Sequence, residues 1–516
     1  MRLIPLLCIP GVITSCQVRK HEQPNIVFIM TDDHGYQAIS AYGGTLNSTP
    51  ALDRIAGEGV IFRNSFVCNS ISAPSRAALL TGKHSHANGH TDNRQRFDSS
   101  QVTFPKLLRE AGYQTAVIGK WHLQSEPTGF DYWNILPGQG SYYNPDFIEM
   151  GRRYRQEGYA TTLITDMAIE WIRDRDKSKP FCILVHHKAP HRNWMPDTID
   201  FDLFDDPDFP VPGNFFDTYE GRKGAEMQKM SIFKDMRMAS DLKITGADGD
   251  SITQSEKDYI SYLKNRLTPQ QYEAWQNEFE PLSRDYNAHP LTGDSLAVFK
   301  LNRYLADYLR TIQSVDRNTG RLLDFIDSAG LRENTIIVYT SDQGFYLGEH
   351  GWFDKRFMYE ESFRTPLMMR LPQGFEAKGD IGEMVQNIDL APTFLELAGV
   401  SPPDDMQGMS LVPLLKGPAV KKWRDALYYH YYEYPGEHDT RPHYGVRTDR
   451  YKLIHFYGDT DHWELYDLEA DQHEMKNLID DPSYDSVEES LRKRLKELRM
   501  SYNVPDEGAA SSSGKN

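Results

Sequence analysis

The stretch Pro24-Asn25-Ile26-Val27-Phe28-Ile29-Met30-Thr31-Asp32-Asp33 holds five consecutive apolar residues between polar ends. A strand with one wet face alternates apolar and polar residues. An unbroken apolar run indicates a strand buried on both faces, as in parallel sheets. Similar runs occupy residues 115–119, 181–185 and 335–340, with helical patterns near 104–111 and 163–173 between them. This alternation predicts a doubly wound α/β sheet, in which sites collect at the carboxyl ends of strands. The polar residues follow that rule: Asp32-Asp33, Lys120-Trp121-His122, His186-His187 and Asp342-Gln343 each follow one run. Four such clusters should converge on one crevice.

Outward from these runs the texture changes twice. Residues 200–300 are rich in Asp, Lys, Met and Gln and predict a mostly helical insertion, after which residues 301–329 resume the core with apolar residues at helical spacing. Beyond Pro402-Pro403, residues 427–434, 444–457 and 463–468 alternate as antiparallel strands do, and 487–500 reads as a closing helix. The expected division is a catalytic unit over 24–400, a smaller C-terminal α+β unit over 401–503 and a disordered tail at 508–516. Of 516 residues 39% are hydrophobic, and 74 acids against 57 Lys and Arg give a net charge of −17. That balance excludes a surface built to neutralise nucleic-acid phosphates.

The chain starts Met1-Arg2, continues with an apolar run over residues 3–13, and reaches Thr14-Ser15-Cys16. This is a signal-peptide pattern, too short for an ordinary membrane span. Ile13-Thr14-Ser15-Cys16 resembles a bacterial lipobox, which implies removal of residues 1–15 and lipidation of Cys16; a simple cleaved signal is the alternative. Export follows, to the periplasm or to an outer-membrane anchor. Cys68 and Cys182 lie in apolar runs and read as small core residues rather than a disulfide.

The chemistry concentrates in Ser72-Ala73-Pro74-Ser75-Arg76-Ala77-Ala78-Leu79-Leu80-Thr81-Gly82-Lys83. These twelve positions resemble the maturation signature of the type I sulfatases of the alkaline phosphatase superfamily. Further motifs of that family occur in order from Pro24 to about Met500. The resemblance implies an alkaline-phosphatase-like sandwich with a large, mixed and mostly parallel sheet, plus an antiparallel sheet in the C-terminal unit. It also implies that Ser72 is oxidised by a serine-oxidising maturase to formylglycine (3-oxoalanine), whose hydrate attacks sulfur with one oxygen and later expels sulfate with the other. Arg76, one helical turn on, would hold that hydrate by charge-assisted hydrogen bonds at a helix N-terminus that itself favours an anion.

Asp32, Asp33, Asp342 and Gln343, together with the modified Ser72, form the implied metal site. Carboxylates and an amide oxygen are a hard set that suits calcium, the family norm, or magnesium. Gln343 departs from the Asn or His often found there. Gly119-Lys120-Trp121-His122 assigns Lys120 to the sulfate and His122 to the diol as base. His186-His187-Lys188-Ala189-Pro190-His191 places His191 at the leaving group as general acid, with His187 beside it. Lys355 in Gly351-Trp352-Phe353-Asp354-Lys355-Arg356 matches the second sulfate-binding lysine.

The stretches around Asp92, Phe130, Tyr142 and His191-Arg192-Asn193-Trp194 are similar to bacterial N-acetylglucosamine-6-sulfatases and mucin-desulfating sulfatases. Asp92, Asn193, Trp194 and His443 are the expected sugar contacts, since amides and aromatic faces suit sugar rings. The implied substrate is a sulfated glycan; galactose or N-acetylgalactosamine sulfate stands as the alternative sugar. An unmodified Ser72 with two metals would instead make a phosphoesterase of the same superfamily, and an unconverted Ser72 would leave a non-catalytic glycan-binding lipoprotein. One metal set and the complete signature favour the sulfatase.

Overall fold

The computed structural model describes residues 23–506 apart from 206, 248–251, 418–419 and 421. Cys16, the leader and the 508–516 tail lie outside the described residues. The four apolar runs form adjacent strands: β1 (Asn25–Thr31), β2 (Gln114–Lys120), β3 (Phe181–His186) and β4 (Thr335–Ser341). They stand in the order β4-β1-β3-β2 at the centre of a ten-stranded sheet, all mutually parallel. Leu367–Arg370, Val60–Phe62 and Gly379–Ile381 extend it beyond β4. Tyr132–Leu136, Asp146–Glu149 and Arg152–Arg155 extend it beyond β2. Antiparallel pairs occur only toward the edges, so the sheet is mixed and mostly parallel.

Why the runs are unbroken is visible in the two layers they separate. Ile26, Phe28, Met30, Val117, Leu184 and Val338 face one core, which contains α1 (Ser72–Thr81) through Ala73, Ala77 and Leu80. Val27, Ile29, Ile118, Val185 and Ile337 face the other. That side is covered by α2 (Ala160–Asp174) and by the 36-residue α3 (Gly293–Ser328). Register puts the strand ends level: Met30 lies between His186 and Thr340, Thr31 beside Ser341, and Gly119 beside His186. Gly119 has φ +103°, and an added Cβ would meet the His186 carbonyl oxygen at 2.0 Å, so only glycine fits where β2 hands over to Lys120.

The insertion is less helical than its composition suggests. Helices Gln254–Arg266 and Pro269–Ala288 fill its second half. The first half has two single-turn helices, Lys223–Glu226 and Ile232–Asp235, and is otherwise irregular. Buried ion pairs tie that irregular chain down, Asp241 to Arg192 at 2.6 Å and Lys243 to Asp307 at 3.4 Å.

Ala426–Tyr431, His443–Thr448, Tyr451–Phe456 and His462–Asp467 form a four-stranded antiparallel sheet. The stretch 444–457 is a hairpin of two strands rather than one. Tyr428, Val446, Leu453 and Leu465 pack under Leu491, Leu495 and Leu498 of the closing helix α4 (Asp485–Ser501). The alternate residues Tyr429, Ile454, Phe456 and Tyr466 join a core of the large unit. A buried knot of charge crosses this seam: Lys452 meets Glu360 at 3.0 Å and Glu474 at 2.7 Å, and Arg447 meets Glu360 at 3.2 Å. Cys68 and Cys182 are free and buried. Among the described residues no helix is long and apolar enough to cross a membrane.

Candidate active site

Ser72 opens α1, and its Oγ donates to Asp32 Oδ1 at 3.0 Å with Gln343 Nε2 at 3.5 Å. Asp32 and Asp33 leave β1, and Asp33 adopts φ +73°, a left-handed backbone in which its amide reaches Asp342 Oδ1 at 3.2 Å. Asp342 leaves β4, and Gln343 Nε2 donates to Asp33 Oδ1. Lys120 leaves β2 and pairs with Asp32, while its Nζ also reaches Gln139 Oε1 at 2.5 Å. Lys355 Nζ donates to both Asp33 oxygens, at 2.6 and 2.7 Å. Three of the four anticipated strand ends therefore meet at the start of one helix, and the fourth, β3, adjoins them where His186 Nδ1 lies 3.1 Å from the Lys120 carbonyl.

Arg76 is anchored between Asp342 and the turn after β2. Its Nε and Nη2 lie 3.0 and 2.9 Å from Asp342 Oδ2, and its Nη1 lies 3.0 Å from the Lys120 carbonyl. It fixes Asp342 and the turn carrying Lys120, with both ionic groups buried. His122 has φ +58° and a buried Nδ1 with no partner among the described residues. Burial, then the charges of Lys120, Arg76, Lys355 and Lys188, hold its pKa well below 6.5, so the ring is neutral and able to accept a proton.

Asp32, Asp33 and His191 each offer a ligand atom within 4.8 Å of the others. Asp342 and Gln343 adjoin this group: Asp342 Oδ1 accepts from the Asp33 amide and Gln343 Nε2 donates to Asp33 Oδ1. The residues fit a hard cation. Asp32, Asp33 and Asp342 are fully buried carboxylates, and Gln343 Oε1 is a buried oxygen with no hydrogen-bond partner among the described residues. Burial raises the Asp33 carboxyl to about 6 against the pull of Lys355, a cost that a bound divalent ion would reverse. His191 Nδ1 donates to the Arg192 carbonyl at 2.7 Å, leaving Nε2 toward Asp33 at 3.8 Å.

The expected sugar contacts fare differently. Trp194 is fully buried among Tyr304, Phe345 and Phe353. His443 is also fully buried, stacked on Phe456 with its Nε2 accepting from the Met358 amide at 3.1 Å. Asp92 is turned into its own loop, accepting from the amides of Arg94 and Gln95 at 2.8 and 3.1 Å. Asn193 gives its amide to Asp241 at 2.7 Å but lines a pocket of about 750 Å³, together with His191, Lys188, Gln139 and Tyr142. His187 is buried, and burial lowers its pKa to about 4.

Two residues absent from the sequence reading belong here. Lys188 is buried with its ammonium 4.8 Å from the Tyr142 ring centroid, and burial lowers its pKa to about 8. Asn93 Oδ1 accepts from the Ala73 amide at 3.0 Å, and the Asn93 backbone N–H donates to Glu433 Oε2 at 2.9 Å, so it braces the first turn of α1. Lys188 sits inside the quoted His186–His191 motif and was within reach; Asn93 has no signal of its own.

Buried acidic oxygens, two lysines and a hydroxyl at a helix start, gathered at the strand ends of an α/β sheet, define a hydrolase built for an anionic ester. The family model described as Sulfatase matches residues 24–400, and that described as N-sulphoglucosamine sulphohydrolase, C-terminal, matches 348–501. An N-acetylglucosamine-6-O-sulfatase of Bacteroides thetaiotaomicron is 49% identical over 516 residues, covering 98% of this chain and 92% of the relative. An arylsulfatase of Clostridium perfringens is 26% identical, covering 92% and 94%. The solved structure of BT4656 in complex with its substrate D-glucosamine-2-N,6-O-disulfate superposes with a TM-score of 0.90 at 50% identity, covering 94% of this chain and 99% of that one. The chain belongs to the sulfatase family, whose members are sulfuric ester hydrolases and generally use a metal ion and formylglycine.

Proposed function

We propose that this enzyme hydrolyses the 6-O-sulfate of N-acetylglucosamine, or of a glucosamine otherwise substituted at nitrogen, in host mucin or glycosaminoglycan. One observation carries the sugar assignment: the 49%-identical relative is named for that ester, and BT4656 at 50% identity is bound to a glucosamine carrying a 6-O-sulfate. Asp32, Asp33, Asp342 and Gln343 would hold calcium, which supplies positive charge against the sulfate oxygens. Ser72 would be present as formylglycine, which supplies the attacking oxygen and a route to release sulfate.

The chain's own residues do the rest. Lys120 pairs with Asp32 and Lys355 with Asp33, and both would clamp sulfate oxygens. Neutral His122 takes the proton that must leave Ser72's modified side chain. His191 faces the departing sugar oxygen as acid. Its ring is neutral through burial and nearby lysines, and a bound sulfate anion favours the second proton it then donates. Arg76 keeps Asp342 in place. The apolar leader and Cys16 support export as a lipid-anchored protein, and the unconverted Ser72 requires a maturase.

Sulfate release from 6-sulfated N-acetylglucosamine, compared with 4- and 6-sulfated galactose, tests the sugar. No release from the glucosamine overturns it. Mass spectrometry of the Ser72 peptide from the native host tests the mechanism, and an unmodified serine in active enzyme defeats formylglycine.

A further inference from the structure

The second half of α4 carries Arg492, Lys493, Arg494, Lys496 and Arg499 against a single acid, Glu497, within a chain of net charge −17. Arg492, Lys496 and Arg499 are spaced by four and three residues and share one helix face. That face lines a groove of about 700 Å³ whose other wall includes Tyr444 and Trp463 of the C-terminal sheet. The Arg492 guanidinium lies 3.7 Å from the Trp463 ring centroid, and that of Arg499 lies 4.2 Å from Tyr444. His455 stacks on Trp463 at 4.1 Å and 14°, which stiffens the wall from within its own sheet.

Stacking fixes the plane of the Arg492 guanidinium while leaving its Nη edge available for contact with an oxyanion. Arg492 spends Nε on Glu488 at 2.6 Å, and Arg499 spends one Nη on the Pro505 carbonyl at 3.2 Å. Lys496 makes no ion pair among the described residues. Leu495 and Met500 add apolar surface to the groove, and Met500 is 68% exposed. Asp506 is the acid in the lining.

The groove is remote from the crevice. The residue after α4, Tyr502, packs on His84 at 4.5 Å, and its carbonyl lies 2.9 Å from His86 Nε2 and 3.1 Å from Gln407 Nε2. His84 and His86 follow the C-terminus of α1, whereas Ser72 is at its N-terminus. A ten-residue helix, roughly 15 Å long, therefore separates this brace from the reacting atoms.

We propose that this groove is a second, non-catalytic binding site for a sulfated glycan chain. The inference rests on the reading of the enzyme as a glycan sulfatase: the polymer that presents the terminal sulfated sugar carries further sulfates. The stacked Arg492 guanidinium and the Lys496 ammonium on one helix face suit neighbouring anions of such a chain, with the apolar residues left for sugar faces.

The test uses the full chain with Ser72→Ala, its crevice saturated with 6-sulfated N-acetylglucosamine, titrated with a heparin oligosaccharide. Saturable binding should persist, weaken as salt rises, and fall about tenfold in the Arg492→Gln/Lys496→Gln variant, as loss of two exposed ion contacts implies. In the Ser72-containing enzyme the same pair should leave kcat/KM on the monosaccharide unchanged. Lys496→Glu, which disturbs no ring stack, should weaken binding in the same direction. Unchanged affinity in both variants overturns the proposal, as does loss of binding once the crevice is filled. Equal affinity for desulfated heparin or for phosphatidylglycerol vesicles also overturns it. Failure to hydrolyse the monosaccharide would sink the sugar assignment alone, because the fall in oligosaccharide affinity between parent and groove variants is read whatever occupies the crevice.

Discussion

Arg76 and Asp342 are both buried, and each is the other's main ionic partner. Arg76→Ala should therefore cost about 3 kcal/mol or more, since it leaves an uncompensated carboxylate inside the protein, and urea unfolding would measure it. Ser72→Ala removes one hydroxyl and should abolish turnover with a melting temperature close to the parent's. For His122 the sign of the pH effect is set by its surroundings. Its active form is neutral, and burial plus four cations depress its pKa, so His122-dependent activity should persist as pH falls through the ordinary histidine range near 6.5. Lys188→Met removes one of those cations and should move the acid limb of the kcat profile upward; an unmoved limb would remove His122 as the base. At this scale the sequence is most informative where chemistry demands a residue type. Asp32, Ser72, Lys120 and Lys355 belong to motifs, whereas Trp194 looks like a sugar platform in a polar stretch and is in fact enclosed by three aromatic rings.

Among elements, α1 depends on a residue outside itself. Its first turn has no side-chain cap from Ile71, and Asn93 takes the Ala73 amide instead. Asn93→Ala should cost about 1 kcal/mol of stability, the usual worth of such a bond, and lower kcat more than it raises KM, because what moves is the nucleophile. Steady-state kinetics separates the two. In the C-terminal sheet, Glu464 is buried against the hydroxyls of Tyr359 and Tyr466, each 2.8 Å away, and burial raises its pKa to about 7. A carboxyl with a raised folded pKa contributes stability below its unfolded value of 4.5 that is lost as pH rises through 7. Glu464→Gln should flatten that loss and be more stable than the parent at pH 8, on the order of 2 kcal/mol. Strands were legible because unbroken apolar runs must be buried on both faces. The irregular first half of the insertion was not, since its order comes from ion pairs such as Asp241 with Arg192 that no local pattern announces.

For the whole molecule, the net charge of −17 coexists with a crevice where Lys120, Lys355, Lys188 and Arg76 face three buried aspartates. Calcium bound there should stabilise the fold by about 2.7 kcal/mol at a hundredfold excess over its Kd. Chelation should accordingly lower the melting temperature and stop sulfate release, with calcium restoring both; a chelated enzyme that keeps its activity would exclude the metal. The fold class could be inferred from strand texture alone, yet which aromatic residues face a sugar could not, because burial is decided by chains meeting from distant parts of the sequence. Ser72 is 1% exposed, and every residue of its helix is buried. On the proposed formylglycine mechanism, the oxidising enzyme would have to reach that side chain before α1 docks against the sheet. Conversion and folding would then compete in time on each new chain, and a molecule that folded first would be well formed and inactive.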